Sequence, residues 1–245
     1  MYHFFAPSEN SEKGSVTITG PDVNHITNVL RLKKGDRIVV ADGRDRDSLC
    51  EIEEAGPDFV RCKVLPDRLA ETECPVRIHL FQGLPKGDKM ETIIQKAVEL
   101  GAVSVTPVEM KRSVVRLEEK KKAAKTERWQ RIAESAAKQC GRRIIPAVEL
   151  PQSFAGALKT AGEMQTVLVP YENAEDIAST RRILSEVPKG SDCAVFIGPE
   201  GGFDPAEIRE LEAAGARLIT LGPRILRTET AGMAVLAMCT LMMED

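Results

Sequence analysis

Two apolar strands, one helix apart, each run out into a glycine-bearing loop, and this pattern constrains the chain more than any other feature. Cys193–Ile197 reads as a buried parallel strand and opens into Gly198-Pro199-Glu200-Gly201-Gly202. Asp204 is placed as an N-cap, Pro205 as the first helical residue and Glu207 as the partner in a capping box. That helix, Pro205–Ala214, stops at Gly215. A second strand, Arg217–Leu221, opens into Gly222-Pro223-Arg224-Ile225-Leu226-Arg227-Thr228-Glu229-Thr230, and a long apolar helix follows. Open α/β sheets bind ligands at the carboxyl ends of their strands, so the two loops mark the candidate site.

The preceding chain supports such a sheet. From Val76 onward, strands over 76–81, 102–108 and 166–170 alternate with helices over about 88–100, 118–140, 154–160 and 175–187. This alternation predicts a parallel sheet with helices on both faces. Met90, Ile93, Ile94, Ala97 and Val98 share a face of the first helix, and Trp129 and Ile132 point inward from the second. Residues 1–72 have another texture. Ser15–Thr19, Arg37–Ala41, Leu49–Glu53 and Phe59–Leu65 suit strands punctuated by glycine, which suggests a small β-barrel. One helix over 21–31 turns Val23, Ile26, Val29 and Leu30 inward and leaves His25 and Arg31 outside. The polar, proline-flanked segment 66–75 reads as a linker, dividing the chain into 1–72 and 73–245.

A net charge of −3 does not announce a nucleic-acid partner, but its distribution is uneven. Between Lys111 and Arg143 stand twelve Lys or Arg against four Glu. Such clustering is the electrostatic footprint of a polyanion site, and equally that of a solvated helix face. Six scattered cysteines suggest neither a disulfide framework nor a zinc site, and Cys193 and Cys239 sit in apolar runs that read as core. With no signal peptide and no membrane span in the sequence, a reduced cytoplasm is the expected location.

Nucleotide motifs do not fit. Gly83 to Lys89 has the wrong spacing for a Walker A loop, and Gly198 to Gly202 does not match the dinucleotide fingerprint. No Gly-x-Ser-x-Gly motif or metal-ligand cluster is present. What remains is a pocket of backbone groups and apolar side chains. Gly198, Gly201 and Gly202 let main chain approach a ligand, while Leu221, Ile225 and Leu226 supply an apolar wall. Glu200 and Glu229 suit a cationic ligand or a proton to be removed. Arg224 and Arg227 suit a phosphate or an anionic intermediate.

The blocks Phe196–Phe203 and Leu221–Ala231 resemble signatures of the RsmE family, SPOUT-class methyltransferases that modify N3 of a uridine in 16S ribosomal RNA. Further blocks extend the resemblance over essentially the whole chain: His25-x-x-x-Val29-Leu30-Arg31, Gly35-Asp36, Leu84–Glu91, Gln95–Gly101 and Gln139–Arg142. One departure is His3, where the family tends to carry arginine. The resemblance implies a PUA-like β-barrel before an α/β SPOUT domain with a C-terminal trefoil knot, a homodimer, and the small ribosomal subunit as partner. It implies S-adenosylmethionine held by Leu168, Val169, Pro170, Gly198, Pro199, Glu200, Gly201, Gly202, Leu221, Gly222, Ile225, Leu226 and Thr230, with no metal. Arg227, Glu229 and Glu200 are the expected catalytic residues. His25, Arg31, Lys86, Lys89, Arg112, Lys138 and Arg142 are the expected RNA contacts. A SPOUT enzyme acting on a ribose 2′-hydroxyl or on transfer RNA, and an RNA-binding assembly factor without catalysis, are the competing readings.

Overall fold

The structure is a computed structural model that describes residues 1–12, 14–67, 69–174 and 176–243. Arg68, within the expected linker, and Glu175, the expected start of a helix, lie outside the described residues. The chain divides into two compact units, Met1–Glu73 with Ala137–Ile145, and Cys74–Ala136 with Pro146–Asp245.

The first unit holds six strands: β1 (His3–Phe5), β2 (Ser11–Glu12), β3 (Ser15–Thr19), β4 (Arg37–Ala41), β5 (Asp47–Ala55) and β6 (Phe59–Val64). They form one sheet in the order β1-β4-β5-β6-β3-β2, a half-barrel whose two end strands are not paired with each other. All neighbours are antiparallel except β1, which runs parallel to β4. Ile18, Ile38, Ile52 and Val60 alternate inward and, with Phe4 and Ile26, make the core. The helix after β3 begins as α1 (Pro21–Asn24) and widens into a π-turn over His25–Val29. The wider turn carries Val29 out of the expected inner face, to 64% exposure, while Val23 and Ile26 stay buried. Arg31 then takes a left-handed φ of 56°.

The second unit is built on seven parallel strands: β7 (Arg77–Gly83), β8 (Ser104–Glu109), β9 (Ala147–Val148), β10 (Gln152–Ser153), β11 (Thr166–Pro170), β12 (Asp192–Ile197) and β13 (Arg217–Ile219). Their order is β10-β8-β7-β12-β11-β13, with β9 beside β8. The helices are α2 (Lys89–Glu99), α3 (Glu119–Cys140), whose last residues from Ala137 belong to the first unit, α4 (Phe154–Ala161), α5 (Ile177–Ser185), α6 (Pro205–Ala213) and α7 (Thr228–Met243). Phe81 and Phe196 stack at 4.7 Å on one face of the sheet, packed in a core with Ala157 of α4 and Leu211 of α6. The apolar helix α7 lies against β7 and β12 on the other face, between α2 and α5. Both faces are covered, which is why these strands are apolar throughout. Cys193 and Cys239 are fully buried, as their apolar surroundings predict. Trp129 is buried on α3, whereas Ile132 is only half-buried; Ala133, Ala136 and Ala137 complete the inner face instead.

Candidate active site

The carboxyl ends of β11, β12 and β13 open into one cleft of about 640 Å³. Its walls are the loop Gly198–Phe203, the loop Thr220–Thr228 and the segment Pro170–Glu172, with Lys89 and Arg112 at the rim. The Gly198 loop is as tight as its glycines predict. A β-carbon on Gly198 would stand 3.1 Å from the Gly202 carbonyl carbon, and Gly202 itself has a φ of 69°. The loop then enters α6 through the anticipated capping box. The Asp204 carboxylate accepts from the Ala206 amide at 3.0 Å, and Glu207 accepts from the Asp204 amide at 2.9 Å. A glycine not singled out from the sequence fixes the loop from behind. A β-carbon on Gly83, at the end of β7, would lie 2.6 Å from the Pro199 nitrogen.

Three charged side chains meet at the rim. Glu200 Oε1 accepts from the Lys86 amide at 3.0 Å and from Lys89 Nζ at 2.9 Å. Burial pushes the Glu200 carboxyl up, but the hydrogen bonds from Lys89 and the Lys86 amide outweigh it, and the group stays below the ordinary carboxylate range. Lys89 Nζ also stands 3.6 Å from Glu229 Oε2, an ion-pair distance too long for a hydrogen bond. That Glu229 oxygen is buried and has no hydrogen-bond partner among the described residues. Arg227 lines the cleft with its side chain exposed.

The expected cofactor residues fall into two groups. Pro170, Gly198, Pro199, Glu200, Gly201, Gly202, Leu221, Gly222, Ile225 and Leu226 all line the cleft. Leu168 and Val169 do not. They are fully buried inside β11, whose backbone pairs with β12 and β13 on either side. Thr230 is also misplaced by the sequence reading. It is exposed on α7, and the wall is made instead by Thr228 and Ala231, three residues apart on one helical face. Tyr171, Glu172 and Thr220 also line the cleft, as continuations of strand ends that spacing alone does not mark.

Among the expected RNA contacts, Lys86 is exposed and Arg112 donates to the Gly201 carbonyl at 3.1 Å. In the first unit His25 and Arg31 are exposed, and Lys138 binds both Asp22 carboxylate oxygens, at 2.9 and 3.1 Å. Arg142 requires correction. It is 3% exposed, and its guanidinium Nε donates to Glu73 at 3.0 Å, so it is a buried structural ion pair rather than a phosphate contact. The basic stretch is partly neutralised as well: Lys121 pairs with Glu118, Lys122 with Glu109 and Glu119, and Arg128 with Glu91. His3 is no substitute for a surface arginine, because both ring nitrogens are buried without hydrogen-bond partners among the described residues. No cluster of three or more His, Cys, Asp or Glu able to hold a metal occurs among the described residues. No described helix is long and apolar enough to cross a membrane.

Residues 72–240 match the model of an RNA methyltransferase domain, and residues 18–65 that of an RNA methyltransferase PUA domain. The ribosomal RNA small subunit methyltransferase E of Bacillus subtilis strain 168 is 39% identical over 229 residues, spanning 92% of this chain and 90% of that protein. The chain belongs to the ribosomal RNA small subunit methyltransferase E family. The family member from Mycobacterium bovis is 31% identical over 92% of this chain and 86% of its own. The solved family member from Neisseria gonorrhoeae, bound to S-adenosyl methionine, superposes with a TM-score of 0.82 at 30% identity, covering 97% and 96% of the two chains. A putative methyltransferase from Legionella pneumophila, also in complex with that cofactor, gives a TM-score of 0.81 at 29% identity over 98% and 97%. The fold is therefore the family's PUA-like barrel followed by a SPOUT methyltransferase domain.

Proposed function

We propose that the chain methylates N3 of a uridine in the 16S ribosomal RNA of the small subunit, with S-adenosylmethionine as methyl donor. The observation that carries this reading is the meeting of both C-terminal loops in one cleft that Arg227 lines, with Glu229 just beyond Thr228 and facing the rim residue Lys89 at 3.6 Å. The cleft fits the donor. Its volume lies in the range of small-molecule sites, roughly 300–1,000 Å³. Its walls pair close-approach glycine backbone with the apolar Leu221 and Leu226, and its carboxylates suit a cation. The donor supplies a methyl group already activated by a sulfonium charge.

The protein's own task is alignment and proton removal. The backbone of Gly198–Gly202 and Leu221–Leu226, with Pro170, holds the donor. Of the two carboxylates, Glu200 is the poorer base, because two hydrogen bonds hold it ionised and its partner Lys89 in place. Glu229, whose Oε2 makes no hydrogen bond among the described residues and stands 3.6 Å from Lys89, takes the N3 proton. Arg227 stabilises the negative charge left on the uracil oxygens. His25, Arg31, Lys86, Lys89, Arg112 and Lys138 hold phosphates and so position the RNA without reading its sequence. The target uridine is unstacked to reach the cleft.

Residues 1–72 serve as the RNA-binding module and 73–245 as the catalytic one, with the C-terminal segment threaded as a trefoil knot. The enzyme works in the cytoplasm as a homodimer through the second module. Arg227→Ala abolishes methylation while leaving donor affinity within about threefold, since the arginine serves only the developing charge. Calorimetry and transfer of labelled methyl to small-subunit RNA test this, and equal loss of both would remove Arg227 from that role. Methyl mapped to a ribose hydroxyl or to transfer RNA would overturn the substrate reading, and absence of transfer by the wild type would favour an assembly factor.

A further inference from the structure

Gln82 is an amide with no exposure at all, set near the carboxyl end of the central strands on an apolar sheet face. It stands on the central strand β7, in register with Ile197 of β12 and Pro107 of β8. Buried amides cost stability unless hydrogen-bonded, so the partners of this one are informative. Its Nε2 donates to the Gly83 carbonyl at 3.0 Å and to Thr228 Oγ1 at 2.8 Å. The Gly83 carbonyl can only accept, and this fixes the orientation of the amide. The Thr228 hydroxyl therefore accepts from Gln82, and its own hydrogen goes to the Gly198 carbonyl at 2.6 Å. Thr228 is 5% exposed. A chain of two hydrogen bonds thus runs from the sheet, through the first residue of α7, to the loop after β12.

We propose that Gln82 and Thr228 form a latch that clamps the loop after β13 against the loop after β12 and thereby aims Arg227 and Glu229. Both are positioning residues, and the inference rests on the methyltransferase reading above. The reasoning is geometric. Thr228 lies between Arg227 and Glu229 in sequence, so turning its side chain into the sheet sends its neighbours to either side. Arg227 enters the cleft, and Glu229 comes to 3.6 Å from Lys89. Gly198 and Thr228 both line the donor cleft, so the bond between them sets the gap between its two main walls. No β-carbon stands in the way. One placed on Gly232 would lie 3.5 Å from Gln82 Oε1, which leaves the amide just enough room beside the first turn of α7.

The test uses the full-length chain and four variants: Thr228→Val, Thr228→Ser, Gln82→Met and the double variant Gln82→Met with Thr228→Val. Valine keeps the shape and removes the hydroxyl. We expect kcat for methyl transfer to small-subunit RNA to fall about tenfold or more, with the KM for RNA within about threefold. Serine restores most of the loss. The double variant falls no further than the worse single one, because both substitutions cut the same chain. The same coupling appears in urea unfolding of the donor-free protein, and donor affinity by calorimetry falls in Thr228→Val. Additive effects of the two substitutions, or an undiminished kcat in Thr228→Val, would overturn the latch. If Thr228→Val does not fold, Gln82→Met carries the same kcat expectation. A wild type that binds no donor would instead sink the functional reading, and the urea cycle would still report on the latch.

Discussion

At the scale of single residues, the cleft separates two glutamates that sequence alone could not rank. Glu200 is tied down by Lys89 and a backbone amide, whereas the buried Glu229 Oε2 makes no hydrogen bond among the described residues and only faces Lys89 at 3.6 Å. Glu229→Gln should therefore lower kcat by about a hundredfold or more, the usual weight of a positioned general base. Glu200→Gln should lower it less and weaken RNA binding, because Lys89 loses its anchor; pre-steady-state transfer and filter binding separate the two. If Glu200→Gln proves the more damaging to kcat, the assignment is reversed. His3 offers a pH test. Burial holds its imidazole below the ordinary value of 6.5, against an opposing pull from Asp47. The unfolded chain then takes up a proton that the folded chain refuses. Its contribution is full above pH 6.5 and is lost as the pH falls from there through the depressed folded value. His3→Phe should accordingly flatten the fall in melting temperature between neutral and mildly acidic pH, as read by calorimetry.

At the scale of elements, the close contact between the end of β7 and the loop after β12 predicts a sharp effect from one methyl group. Gly83→Ala places a carbon against the Pro199 nitrogen and ring and the Gly198 carbonyl carbon, with no flexible side-chain end to yield. Overpacking of this kind costs about 1–3 kcal/mol, and here it also displaces a wall of the cleft. Urea denaturation and donor titration should both register it. The element also shows where sequence is readable and where it is not. The capping box at Asp204, the stop at Gly215 and the strand Thr166–Pro170 follow from local chemistry, and they stand where residue types place them. Val29 does not, because a π-turn changes the helical repeat without leaving a compositional trace. Arg142 and Thr228 are illegible for another reason: residue type marks Arg142 as a phosphate contact and gives Thr228 no role. Each is defined by a partner far along the chain, Glu73 for one and Gln82 for the other. His79 belongs with them: it accepts or donates across to Ser104 of β8 and Asp192 of β12, both at 2.8 Å, and links three strands at the end of the sheet away from the cleft.

At the scale of the whole molecule, the cleft is a product of assembly rather than of any one segment. Its lining comes from α2, the segment after β8, the ends of β11, β12 and β13 with their loops, and the first turn of α7. A ligand gripping all of these resists unfolding of the second unit as a whole. At a hundredfold excess of donor over its dissociation constant the gain is about 2.7 kcal/mol, enough to raise the thermal midpoint by several degrees. Differential scanning calorimetry with and without S-adenosylmethionine measures it, and an unmoved midpoint at that excess would mean the folded chain does not bind the donor. The hydrogen bond from Gln82 to Thr228 ties together residues 146 positions apart. A pocket fastened by so distant a knot of polar atoms cannot mature piecemeal during folding. A partly folded intermediate should therefore be blind to the methyl donor, and competence to hold it should arrive late and all at once.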